Sequence, residues 1–178
     1  MTDILYLPLF NLTSVGGLTV SKQSAIRTQI GFLTHHISGK AFPVSDLLTT
    51  RLVETLANQI TLNASLADAL VSCRTIVFNF RDKDYSAEQG GFHPVEICLV
   101  KRSSGDWHYQ YVTDFAYMGD YYPELEKALD FDFESHGSYS CGIPERTEQG
   151  AHELYQLWER NFLAYVEMDV YDDIRVQV

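Results

Sequence analysis

Thr75-Ile76-Val77-Phe78-Asn79-Phe80 is the stretch on which the fold turns. Ile76, Phe78 and Phe80 alternate along it, the period of two that a half-buried strand requires. Upstream the period is four. Leu48, Leu52, Leu56 and Ile60 recur behind Pro43-Val44-Ser45-Asp46, whose short polar side chains suit a helix start. Thr49, Arg51, Glu54 and Asn58 take the wet side, and Leu66 and Leu70 mark a shorter helix beyond Asn63.

Downstream, Pro94 opens a strand to Lys101 with Val95, Ile97 and Leu99 inward, and Ser103-Ser104-Gly105-Asp106 predicts a hairpin. The return strand runs from Trp107 to Tyr117. Strict alternation puts Trp107, Tyr109, Tyr111, Thr113, Phe115 and Tyr117 on one face and His108, Gln110, Val112 and Asp114 on the other. So short a connection forces antiparallel pairing. Pro123 to Leu129 reads as a short helix with proline at its first position, Asp130 to Glu134 as a strand, and Ser135 to Glu145 as a loop. Ala151, Leu154, Tyr155, Trp158, Phe162, Tyr165 and Val166 then form an amphipathic stripe, predicting a helix over 147–166. Ile174, Val176 and Val178 alternate in a last strand. The expected fold is α+β, an antiparallel β-sheet with helices packed mainly on one face.

The domain so defined covers residues 43–178. Residues 1–42 read as an N-terminal arm, with an extended segment interrupted by Pro8 and a candidate helix over 24–37 that Gly39 stops.

The 178 residues carry 24 acids against 13 bases, a net charge of -11. The imbalance is local: residues 1–113 hold nine acids and nine bases, 114–150 nine and two, and 151–178 six and two. A field of that sign repels phosphate backbones, which argues against nucleic-acid binding, and favours a basic protein segment as partner. No apolar run reaches the ~20 residues of a membrane span. Met1 to Phe10 lacks the basic opening of a secretory signal, and Cys73, Cys98 and Cys141 are too few for a disulfide framework, so the expected compartment is the cytoplasm.

Phe78-Asn79-Phe80-Arg81-Asp82, Tyr85-Ser86-Ala87-Glu88 and Gly90-Gly91-Phe92-His93-Pro94-Val95-Glu96 are followed by Thr113-Asp114-Phe115-Ala116-Tyr117, Pro123-Glu124-Leu125 and Asp130-Phe131-Asp132-Phe133. With Trp158-Glu159-Arg160-Asn161-Phe162 and Tyr171-Asp172, this run of words resembles the DUF2787 family of bacterial proteins of unknown function. The resemblance covers roughly residues 43–178 and implies a small gammaproteobacterial protein. It implies no reaction and transfers no catalytic residue.

The chemistry is therefore read from the residues. His93 and Glu96 stand three apart in a loop entering a strand, where their side chains diverge. A metal site there needs further ligands from His108 or Asp114, and the reading is of no metal and no cofactor, with His93 fastening the loop and Glu96 paired to Arg81 or Arg102. Asp130, Asp132 and Glu134 alternate at about 6–7 Å, near the separation of acid/base pairs in glycoside hydrolysis. Alternating acids of this kind serve first as a solvated face, and after that as a contact for a cation or a basic peptide. Cys98 shares a face with Glu96, which disfavours a thiolate, and Cys141 in its polar loop with His136 shows no partner geometry. Walker, dinucleotide, zincin, nucleophile-elbow and EF-hand patterns are absent from the sequence.

The leading expectation is a small acidic binding protein acting through an aromatic-carboxylate patch of Tyr109, Tyr111, Tyr117, Tyr122, Asp130, Asp132 and Glu134. The alternative is a hydrolase or metal-dependent enzyme using a cluster of His93, Asp114, Asp130 and Asp132. Convergence on one pocket separates the two.

Overall fold

The computed structural model describes residues 41–143 and 147–178, together with the backbone of residues 37–38. Helix α1 (Asp46–Leu62) starts where Ser45 Oγ accepts the Leu48 N–H at 3.1 Å. Helix α2 (Ala64–Ser72) follows after a single residue, because Asn63 ends the first helix and its side chain caps the second through the Ser65 N–H at 3.1 Å. Strands β2 (Thr75–Arg81), β3 (Val95–Lys101), β4 (Trp107–Met118), β5 (Glu124–Asp132) and β6 (Gly137–Ser140) come next, then helix α3 (Glu148–Glu167) and strand β7 (Asp173–Gln177). Together they make an antiparallel sheet in the order β6-β5-β4-β3-β2-β7. A two-residue strand β1 (Ile37–Ser38) lies parallel beside Trp107 and His108, below the point where β5 begins to pair with β4.

The helices and one sheet face enclose the core. Leu48, Leu52, Leu56 and Ile60 of α1 are buried, as are Ile76, Phe78 and Phe80 of β2 and Val95, Ile97 and Leu99 of β3. Along α3, Trp158 stacks on Phe162 at 5.2 Å, Tyr155 meets Phe131 edge-on at 5.2 Å and Phe162 meets Phe80 at 5.0 Å. The helical stripe therefore packs on the aromatic side of the sheet. This is the expected α+β architecture.

Four local expectations need correction. Pro123 to Leu129 is not a helix: Glu124–Asp132 pairs with β4 except at a bulge on Ala128, and Pro123 precedes the first ladder position, where its missing N–H costs nothing. A helix of under two turns cannot recover its nucleation cost, whereas the neighbouring strand offers a hydrogen bond at alternate residues. The strand expected over 130–134 ends at Asp132, and Phe133 to His136 form the turn into β6, which lies inside the expected loop. Ile37, placed at the end of a candidate helix, is in β1; the rest of that candidate over 24–36 and the arm before it fall outside the described residues.

The fourth correction decides what the sheet faces present. Leu99 pairs with Tyr109 but Cys98 pairs with Tyr111, so Gln110 is an extra residue in β4. Such a bulge reverses the alternation that follows it. Trp107 and Tyr109 point into the core, and beyond the bulge Val112 takes the inward role while Tyr111 and Thr113 turn to the opposite face.

Candidate functional site

His93 is held in place by the loop that precedes it. One oxygen of Asp82 accepts the Asp84 N–H at 3.0 Å and the other accepts the Phe92 N–H at 3.0 Å. Ser86 and Gly90 exchange backbone hydrogen bonds of 3.1 and 2.9 Å, closing the loop on itself. Gly91 has φ 122°, and a Cβ there would stand 2.8 Å from Asp82 Oδ2, so the close approach requires glycine. Asp172 anchors the far side by accepting the Lys83 N–H at 3.0 Å.

So placed, His93 Nδ1 donates to Asp114 Oδ1 at 2.7 Å, with the ring 5.4 Å from that of Tyr85. That hydrogen bond raises the imidazole pKa above its ordinary value, against the lowering effect of burial. His93 thus fastens the loop, as its position suggested. The pair sits beside a cleft of 690 Å³ between α3 and the inner side of the sheet, walled by Phe92, Leu129, Leu157, Trp158 and Phe162 and reaching Cys141.

Asp130 and Asp132 lie elsewhere. Asp114 pairs in register with Leu129, whereas Asp130 pairs with Thr113, so successive residues send Asp114 and Asp130 to opposite faces of the sheet. On the outer face the Thr113 hydroxyl donates to Asp130, and Lys127 Nζ reaches the same carboxylate at 3.0 Å while standing 6.0 Å from the Tyr111 ring centroid. Asp132 accepts the N–H groups of Glu134 and Ser135 at 2.8 and 3.1 Å. Burial works to raise its pKa, but these turn amides outweigh it and hold the carboxyl below its ordinary value. Tyr111 donates to Glu96 Oε1 at 2.7 Å, so Glu96 pairs with a phenol and not with Arg81 or Arg102. Gln110, Tyr111, Lys127, Asp130, Asp132 and Glu134 together line a shallow depression of 340 Å³.

The four residues of the enzyme reading therefore divide into two pairs separated by the sheet. Among the described residues, no group of three or more His, Cys, Asp or Glu is arranged to hold a metal ion. Burial pushes the Cys98 thiol up to about 11, with Glu96 adding to the rise, and burial also raises Cys73. Both are poor nucleophiles. Cys141 is exposed, two strands away from Asp114 along the register Asp114–Leu129–Ser140.

Of the aromatic patch, Tyr109 must be removed. It is buried in the core, and its hydroxyl shares a 3.1 Å hydrogen bond with Thr49 of α1. Tyr117 and Tyr122 are on the surface, at the end of the β4–β5 hairpin. There Tyr121 is 91% and Tyr122 89% exposed, Glu124 to Lys127 are exposed on both sides of β5, and Leu125 adds apolar surface. The Tyr85 ring packs 5.4 Å from Tyr117 and its hydroxyl accepts the Tyr117 N–H at 3.1 Å, joining this ribbon to the loop that carries His93.

The sequence reading passed over one charged group. Glu159 is buried beside Tyr155; its carboxylate accepts from the Tyr155 hydroxyl at 2.9 Å and from the Ser45 N–H at 3.1 Å. Its signal was available, because position 159 falls four residues after Tyr155 and three before Phe162, inside the apolar stripe.

A family model described as a protein of unknown function, DUF2787, matches residues 50–177. No curated protein matches the chain. Two solved structures from Vibrio cholerae resemble it. The hypothetical protein VC0508 of the VSP-II pathogenicity island is 45% identical, with a TM-score of 0.61 over 78% of this chain and 96% of its own. The conserved hypothetical protein VC1805 of pathogenicity island VPI-2 is 40% identical, with a TM-score of 0.64 over 79% of this chain and 99% of its own; it is described as sharing structural homology with the human P32 protein.

Proposed function

The chain belongs to the DUF2787 family, and on that premise we propose that it is a non-enzymatic cytoplasmic binding protein that captures a Lys/Arg-rich polypeptide segment along the β4–β5 hairpin. The observation that carries this reading is the exposed hairpin end, with Tyr117, Tyr121, Tyr122 and Leu125 exposed among Asp120, Glu124 and Glu126. Exposed aromatic groups clustered in this way mark interaction surfaces, and tyrosines are favoured anchors in them. The outer-face group of Tyr111, Asp130, Asp132 and Glu134 continues the strip at its other end. From Tyr111 to Tyr117 the strand advances about 20 Å, the length of roughly six or seven extended residues. Acidic residues predominate from 114 to the C-terminus, so the long-range field attracts a basic chain before the tyrosines engage it. Among the described residues no helix is long and apolar enough to cross a membrane.

Stopped-flow association of a fluorescein-labelled Lys/Arg-rich peptide tests the reading. The rate is expected to fall as salt rises from about 50 to about 300 mM, because such fields are screened over about 8–10 Å. Tyr121→Ala with Tyr122→Ala should speed dissociation, and Glu124→Gln with Glu126→Gln and Glu134→Gln should slow association. Salt-insensitive capture, equal binding of duplex DNA, or unchanged kinetics in both variants would defeat it.

A further inference from the structure

The cleft under α3 lies on the opposite side of the sheet from Tyr111, Asp130 and Asp132, and its chemistry is different. Its volume of 690 Å³ falls within the range of small-molecule sites, about 300–1,000 Å³. The walls combine aromatic rings and leucines with Asn161 and Cys141, and among the described residues the only Asp, Glu, Lys, Arg or His side chains lining it are His93 and Asp114. These two neutralise one another when ionised. A net charge of -11 disfavours an anionic guest, and Asp114 is already committed to His93 and offers a cation little. The complementary guest is therefore uncharged.

The orientation of His93 narrows the class further. A carboxylate partner fixes the proton on Nδ1, so in the neutral imidazole the remaining nitrogen, Nε2, is an acceptor. Asp114 strengthens that acceptor by the same interaction that raises the basicity of the ring. A basic nitrogen at the margin of an aromatic-walled cleft suits a weakly acidic O–H.

We propose that the cleft between α3 and the sheet binds a neutral aromatic molecule bearing a single hydroxyl, its ring held against Phe92, Trp158 and Phe162 and its O–H donated to His93 Nε2. Asp114 acts as the positioning residue, holding the imidazole in the accepting tautomer. Leu157, 46% exposed, stands at the rim.

Fluorescence titration of the full chain with 2-naphthol, naphthalene and 2-naphthoate, at a pH above the His93 titration where the imidazole is neutral, tests this proposal. Saturable binding is expected in the order naphthol, naphthalene, naphthoate, with the hydroxyl worth about tenfold, the size of one good hydrogen bond. His93→Gln should bring naphthol down towards naphthalene while leaving naphthalene unchanged. Leu157→Trp, at an exposed position that leaves the core intact, should block all three. Failure to saturate, as when another part of the chain or a second copy already fills the cleft, would overturn the proposal. Preference for naphthoate, or a Leu157→Trp protein that binds as before, would do the same.

Discussion

Replacing Glu159 by Gln should destabilise the protein more than any surface substitution, and the structure allows the size to be worked out. The carboxylate is 7% exposed and accepts two hydrogen bonds, from the Tyr155 hydroxyl and the Ser45 N–H. Bonds to a charged acceptor contribute about 1.5–3 kcal/mol each and neutral ones about 0.5–1.5, so the exchange costs roughly 1 kcal/mol per bond. The new amide also buries an N–H with no acceptor, which adds about 1–3 kcal/mol, for a total near 3–5 kcal/mol. Ser45 is the N-cap of α1, so the lost charge additionally weakens a favourable interaction with the helix terminus. Urea unfolding followed by tryptophan fluorescence measures the difference; in a chain of this size it amounts to roughly 6–20 °C in Tm. A double-mutant cycle with Tyr155→Phe isolates the phenol–carboxylate bond, and a coupling of about 1–2 kcal/mol is expected. A cycle that closes at zero, together with an unmoved Glu159→Gln midpoint, would refute a carboxylate bound inside the core.

His93 should titrate above its ordinary 6.5 in a histidine-selective NMR experiment, and Asp114→Asn should bring it back down; an unchanged titration would mean the pair is not formed. The sign for stability follows: because the folded pKa is raised, the contribution is complete below the ordinary value and disappears as pH rises through the folded one. Trp158→Ala, which removes a ring stacked on Phe162 and packed near Phe131, should cost about 3–5 kcal/mol; a melt that hardly moves would detach α3 from the sheet. Gly91→Ala should cost about 1–3 kcal/mol through its positive φ and the contact with Asp82, and should loosen the His93–Asp114 pair, detected as a lowered histidine pKa.

The switch of apolar period at Thr75 and its return at Ala151 made the α+β class legible, since burial of one face dictates both patterns. Strand registers were not legible in the same way. The bulge at Gln110 carries no residue signature, because Gln110 fits an ordinary outward position as well as an inserted one. Missing it left Tyr109 and Tyr111 on one face, although one lies in the core with Thr49 and the other outside with Glu96. Nor did proximity in sequence order reveal that Asp114 and Asp130 stand back to back: that depends on whether Asp130 meets Thr113 or its neighbour, a choice of one residue. Pro123-Glu124-Leu125 satisfies the rules for a helix start and loses only to a neighbouring strand that local patterns do not include.

The sheet does not close into a barrel among the described residues, and β6 and β7 form its margins. Each margin exposes backbone donors and acceptors able to recruit a strand from another molecule, the first step towards fibrous aggregation. The two margins limit that hazard differently. At β7, Arg175 Nε and Nη2 grip both oxygens of Asp173 at 2.9 and 2.7 Å, studding a five-residue strand with charge. At β6 the protection is brevity, since Gly137–Ser140 offers only four residues, too few for a stable intermolecular ladder. Among the described residues, the obstacles to edge-to-edge pairing are thus a charged clamp at one border and a truncated strand at the other. Asp173→Val with Arg175→Val would leave β7 an apolar, uncharged template, and the same fold would then be prone to assemble edge to edge.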